Sequence, residues 1–358
     1  MSETTIERVG LDQLDPTMNP FQSHFWASLK RPSGWRAFAF RITAEGADGR
    51  PHAIVIMVLV RRLLLGFRLA YIPFAPPVHE FAQEPSVTIS TLAKSLRKML
   101  PKGTAFVRFD LPWEEPDTFE LPELTGKSIR VCRESVQPEG TTRILLSEGY
   151  EQVRMRYRER ARRNIRKARA HGIEIRTWDG SEKSFTAWYN VYVETAKRDG
   201  FVARPASYLR HLLALDASQV SSHLYIAYQG GRILGGALII ASSGVSIYLY
   251  GASLRVEGCS PSYLLQDYAI RDACSRGCRI YDLFGISGPG NRGIHLEGLR
   301  LFKRAFGGFV CYRSPSVDFV YRHIVRFLYI RLEQIRYNSH RKRQPARMAQ
   351  QYSVAREE

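Results

Sequence analysis

One order of elements occurs twice in this chain, and that repetition restricts the fold more than any single motif. From Arg36 to Pro73 three strand-like runs follow one another: RAFAFRI, AIVIMVLV and FRLAYIP. They are rich in β-branched and aromatic residues and separated by turn residues, the pattern of an antiparallel meander. A helical period over Val87–Leu100 then leads through Pro101 and Gly103 to a short strand, AFVRFD, ending at Asp110. After residue 180 the order returns. Helices over Glu182–Lys197 and Ala206–Leu215 precede the strands LYIAY, RILGGALIIA and VSIYLY, and a helix over Ser262–Ser275 delivers RIYDLFG. Asp110 and Asp282 thereby occupy equivalent strand ends. The expectation is an α/β fold made of two tandem copies of one unit, with mixed sheets flanked by helices. A length of 358 residues agrees with two domains at roughly 150 residues each.

Between the halves, Tyr150, Val153, Tyr157, Ala161, Ile165 and Ala168 recur every three or four residues and predict one amphipathic helix closing at Gly172. From Arg154 to Arg169 its polar surface carries Arg or Lys at nine positions against a single acid, Glu159. Such a density repels itself unless an anion compensates. The whole chain has a formal charge of +18, which favours nucleic acid, a phosphorylated metabolite or an acidic membrane face as partner.

Several classes lose support. There is no G-x-x-x-x-G-K-[ST] phosphate loop, G-x-S-x-G elbow or H-E-x-x-H zinc motif. GISGPGNRG (Gly285–Gly293) follows a strand without opening a helix and reads as a mobile loop rather than a dinucleotide fingerprint. The cysteines are Cys132, Cys259, Cys274, Cys278 and Cys311, an odd set at scattered spacings that fits a reducing cytoplasm and offers no metal site. The N-terminal residues do not read as a signal peptide, and the most apolar run, Ala53–Leu65, is too short and too charged to span a bilayer. Candidate ligand-binding residues sit at strand and helix ends. Tyr248 and Tyr250 share a face if the strand is regular, and Arg204 and Tyr208 lie four apart at a helix start, where a cation and a phenol could meet a phosphate or simply pair at the surface.

Taken in order, FQSHFWASLK, the Gln137-Pro138 step, RARRNIRKARAHGIEI, RPASYL, YLYGAS, YDLFGI and FKRAFGG resemble the FemABX family, and the likeness runs from Phe21 to about Tyr312. The resemblance implies two tandem GNAT-like domains: residues 1–138, which residues 313–338 could complete, and residues 139–312, with 339–358 as a basic tail. It implies an aminoacyltransferase that moves an amino acid from aminoacyl-tRNA to an amine of a peptidoglycan precursor, whether uridine-diphosphate-linked or lipid-linked. Lys30 and Arg204 would grip the diphosphate, with Tyr208, Tyr248 and Tyr250 lining the same acceptor site. Phe302 and Lys303 would stand where the charged tRNA end meets the acceptor, and Asp110 resembles an acidic residue considered as a base. Arg158, Arg162, Arg163, Arg166 and Lys167 would carry tRNA phosphates.

No cofactor or metal is expected, because the ester donor is already activated. The expected form is a cytoplasmic monomer that could touch the inner face of the membrane. Two departures from the family pattern stand out. There is no long helical arm in the second half, and Phe74-Ala75-Pro76 replaces an Arg-Gly-Pro step. A basic amphipathic stretch, DFVYRHIVRFLYIRLEQIRYNSHRKRQ, could return onto the first domain or lie on an anionic membrane. Two other readings stay open: an N-acyltransferase using an acyl-CoA or acyl-carrier donor on another amine or polysaccharide, and a non-catalytic tRNA- or membrane-binding protein.

Overall fold

A computed structural model describes residues 4–114, 121–215, 217–289 and 296–335. The first half runs β1 (Thr5–Val9), α1 (His24–Lys30), β2 (Trp35–Glu45), β3 (Pro51–Arg62), β4 (Arg68–Ile72), α2 (Pro85–Met99), β5 (Thr104–Phe109) and β6 (Ile129–Val131). The second runs β7 (Gly140–Leu145), α3 (Tyr150–Met155), α4 (Glu159–Ala170), β8 (Glu174–Thr177), α5 (Glu182–Asp199), α6 (Ala206–Ala214) and β9 (Ser221–Gln229). It continues through β10 (Arg232–Ala241), β11 (Val245–Ser253), α7 (Pro261–Ser275), β12 (Ile280–Asp282), α8 (Glu297–Arg304) and β13 (Phe309–Tyr312). Then come β14 (Val317–Val320) and a helix over 323–335, here α9.

The strands form two seven-stranded sheets, ordered β1-β2-β3-β4-β5-β14-β6 and β13-β7-β12-β11-β10-β9-β8. Reversing the second order superposes the two patterns: each has a meander, then a parallel pair (β4–β5, β11–β12), then an antiparallel strand beyond it. This is the duplicated α/β unit expected from the order of elements. The repeat also has an exchange that local pattern does not reveal. The strand beyond β5 is β14, which enters after the whole second unit, whereas its counterpart beyond β12 is β7, which enters first.

Helix boundaries follow local chemistry. The Ser23 hydroxyl accepts from Trp26 N at 3.0 Å to start α1, Ser181 does the same for α5, and Pro85 and Pro261 open α2 and α7. Gly200 ends α5 in the left-handed region at φ +74°.

The single basic helix expected over Tyr150–Gly172 is two helices. Its apolar stripe is buried as the period requires, with Val153, Tyr157, Ala161, Ile165 and Ala168 all inside. The backbone nevertheless breaks at Arg156–Arg158. Arg158 N donates to Ala305 O at 2.9 Å, and a Cβ on Gly307 would sit 2.4 Å from Arg156 O. The segment after α8 thus packs directly on the break and accepts the hydrogen bond of Arg158 N there.

Candidate functional site

Lys30 closes α1 in the first half, and its ammonium reaches across to the second. Nζ donates to the Tyr208 hydroxyl at 3.0 Å and lies over the rings of Trp26 (4.4 Å) and Tyr208 (5.1 Å). Arg204 stands 5.9 Å from the same Tyr208 ring, and the Tyr250 phenol is close enough to interact electrostatically with both. Arg204 N donates to the Tyr192 hydroxyl at 3.3 Å. Two cations, one from each half, are therefore framed by phenols. Among the described residues no carboxylate is placed against either.

Burial and, secondarily, the neighbouring Arg204 charge lower the Lys30 pKa to about 7. Burial raises that of Tyr208, so the phenol remains a proton donor. The geometry is that of an anion site left unneutralised at the junction of the units. Trp26 and Tyr192 complete it and were not singled out from sequence. Trp26 was legible, since it stands four residues before Lys30 on the same helix face, but Tyr192 reaches the site only through the packing of α5.

Tyr248 belongs elsewhere, and the expected shared face with Tyr250 is corrected by the register. On β10, Leu238 pairs with Tyr250 and the next residue, Ile239, pairs with Tyr248, so Leu249 is an extra residue in a β-bulge. The bulge turns Tyr250 toward Lys30 and Arg204, and leaves Tyr248 on the opposite face with Lys303, whose Nζ is 6.0 Å from its ring. Gly251 is needed there, because a Cβ would coincide with the Tyr248 hydroxyl, 1.5 Å away.

The parallel pair β11–β12 ends its pairing at Ile247 and Asp282, while β11 continues to Ser253. The strands part there, at their carboxyl ends, the usual ligand position in an open α/β sheet. Lys303 of α8 is 4% exposed and donates to the carbonyls of Phe284 and Gly285, the latter at 2.6 Å. Phe284 has φ +49°, a conformation that costs a non-glycine residue roughly 1–2 kcal/mol, and the lysine holds it in place. Burial lowers the Lys303 pKa to about 7, with the Asp282 charge opposing the shift. Phe302 beside it packs edge-on against Tyr263 at 4.9 Å and Phe306 at 5.6 Å. Residues 290–293 of the Gly-rich loop lie outside the described residues.

Asp110 is wholly buried at the point where the chain crosses between sheets. It accepts from the Tyr71 hydroxyl at 2.5 Å and from Ser316, and Arg313 lies 3.3 Å away. Arg313 is itself fully buried and donates to Pro138 O (2.8 Å), Gln137 O (2.5 Å) and Ser314 O (3.0 Å). The pair therefore clamps the outgoing segment at 137–138 to the returning one at 313–314. Nearby, Phe21, Phe74 and Trp113 from the first half meet Phe284 from the second, with centroids 4.8–6.2 Å apart.

The basic residues of α4 face solvent. Glu159 takes Arg166 at 3.1 Å and Arg162 at 3.6 Å, and Arg169 bonds Asp267 at 3.0 Å. Arg158, Arg163 and Lys167 are exposed with no carboxylate contact among the described residues. Among those residues there is also no cluster of three metal-ligating side chains and no helix long and apolar enough to cross a membrane.

The acetyltransferase (GNAT) domain model matches residues 155–293, the core of the second unit. Lipid II:glycine glycyltransferase of Staphylococcus aureus (strain COL) is 21% identical over 412 residues, covering 94% of this chain and 95% of that protein. The crystal structure of FemX shares the fold at a TM-score of 0.71 and 17% identity, over 91% of this chain and 100% of that one. The C-terminal domain of a protein described as a lysylphosphatidylglycerol synthetase from Agrobacterium fabrum follows at a TM-score of 0.50 and 12% identity, over 86% and 90%. The chain is thus similar over nearly its full length to a glycyltransferase and shares the fold of FemX, with two tandem GNAT-like units.

Proposed function

We propose that this protein is an aminoacyltransferase that moves an amino acid from aminoacyl-tRNA to an amine of a peptidoglycan precursor and so builds the interpeptide bridge. The observation that carries the reading is the Lys30–Arg204 pair. Two cations converge from different units, with hydroxyl donors beside them and no carboxylate among the described residues to neutralise them. A diphosphate supplies the missing charge and the acceptors those donors need. The near full-length relative that acts on a lipid-linked precursor supports the same substrate class.

In this reading the acceptor's diphosphate binds Lys30, Arg204, Tyr208 and Tyr250, which directs its peptide toward the carboxyl ends of β11 and β12. The exposed cations of α4, with Arg158, Arg163 and Lys167 unengaged by acids, neutralise tRNA phosphates. The acceptor amine attacks the ester carbonyl: a C–N bond forms, the ester C–O bond breaks, and the proton lost by the amine passes to the departing ribose hydroxyl. Such a step needs alignment and stabilisation of the oxyanion, not an activated nucleophile of the protein. Lys303 lies beside Tyr248 of β11 and is the candidate cation for that task. Asp110, engaged on both oxygens and fully buried, acts here by holding the two crossing segments together.

The test is transfer of radiolabel from aminoacyl-tRNA to a uridine-linked muropeptide, with and without ribonuclease, and with acyl-CoA as competing donor. Ribonuclease-sensitive labelling of the peptide is expected. Labelling from acyl-CoA alone, or labelling indifferent to ribonuclease, overturns the reading.

A further inference from the structure

Helix α9 carries two apolar faces, but among the described residues only one is covered. On the inner side Val325 and Tyr329 pack over Leu69, Ala105 and Phe106, Arg326 bonds Asp318 at 2.8 Å, and Glu333 reaches Arg108 at 3.5 Å. On the outer side Ile324, Phe327, Leu328, Leu332 and Ile335 fall on one stripe, and all five are exposed, Ile324 to 77%. A helix that merely rests on its domain needs one apolar face; a second, open to water, marks an interaction surface.

A neighbouring turn adds to it. Leu64 and Leu65 form the tip between β3 and β4, where Leu65 is 91% exposed at φ +55°, a conformation that ordinarily selects Gly or Asn. The turn and the helix share one end of the molecule. Leu63 packs on the same small cluster as Val325, and the Arg322 guanidinium lies 5.5 Å from the Phe67 ring.

We propose that this surface, the outer stripe of α9 with the Leu64–Leu65 tip, docks on an anionic lipid bilayer. Charge decides the occupant. Arg62, Arg322 and Arg331 are exposed beside the apolar residues, with Arg331 5.3 Å from the Phe327 ring, while Glu333 is drawn toward Arg108. A second copy pressed on this face would bring two arginine rims together, whereas anionic headgroups neutralise the rim as the leucines enter the acyl boundary. The inference goes beyond the transferase reading and does not depend on it, since it is tested without tRNA or precursor.

Full-length protein is co-sedimented with vesicles of phosphatidylcholine alone and of phosphatidylcholine with phosphatidylglycerol, alongside sedimentation velocity in the absence of lipid. Binding is expected only to the anionic vesicles. It should fall about tenfold or more in Phe327→Glu/Leu328→Glu and in Leu64→Ser/Leu65→Ser, with thermal melts unchanged because these side chains are exposed. Three results overturn the proposal: no vesicle binding by the wild type, binding that these substitutions leave intact, or a concentration-dependent dimer that Phe327→Glu/Leu328→Glu abolishes.

Discussion

Lys30 offers a quantitative test of the anion site, because its proton is both held weakly and needed for binding. Burial and the Arg204 charge bring its pKa to about 7 in the ligand-free protein. A bound diphosphate favours the charged ammonium and raises that value, so above neutrality binding must take up a proton. Affinity should then be flat below about pH 6 and fall up to tenfold per unit above about pH 7, until the bound-state pKa is reached. Between pH 6 and pH 8 the protonated fraction drops from about nine-tenths to about one-tenth, a tenfold loss of affinity or ~1.4 kcal/mol. The assay is isothermal titration calorimetry with a uridine diphosphate sugar, whose esterified phosphates do not titrate in this range. Repeating it in buffers of different ionisation heat counts the proton directly. Lys30→Gln should lose the pH dependence and about 1.5–3 kcal/mol of binding at pH 6. In Arg204→Gln the break should move to higher pH, as one of the two causes of the lowered pKa is gone. An affinity that is flat from pH 6 to 8 with no proton uptake would refute the reasoning.

Three further outcomes are expected. Replacing Arg158, Arg163 and Lys167 together by Gln should lower the slope of log K against log salt for tRNA by about two to three; filter binding with an unchanged slope removes α4 from the tRNA surface. Single-turnover transfer by Lys303→Met, with both substrates saturating, should slow on the order of a hundred- to a thousand-fold if the cation meets the oxyanion; a wild-type rate would leave it only the task of holding the Phe284–Gly285 turn. Asp110→Ala should destabilise the protein by about 3–5 kcal/mol in urea unfolding, because Arg313 is left as a buried unpaired charge, and Asp110→Leu with Arg313→Met should recover much of that loss. A change below about 1 kcal/mol for Asp110→Ala would show that the clamp is not needed for folding.

Features set by local period were legible from the amino-acid sequence. These include the twice-repeated order of strands and helices, the buried stripe from Val153 to Ala168, the cationic face of α4, and Arg204 and Tyr208 close together at the start of a helix. Lys30 was found through the FQSHFWASLK resemblance, since nothing near it in sequence shows what it faces. Tertiary structure decided the rest, through contacts between distant segments. The extra residue at Leu249 sends Tyr248 and Tyr250 to opposite faces, and alternation alone puts them on one. Residues 305–307 break the basic helix at Arg156–Arg158, where the apolar stripe continues without interruption. Period gives α9 two apolar faces, but only packing against Leu69 and Phe106 shows which one is left to water. The same holds for Asp110: local pattern marks a strand end, and only the exchange of β14 into the first sheet brings Arg313 and Ser316 to it.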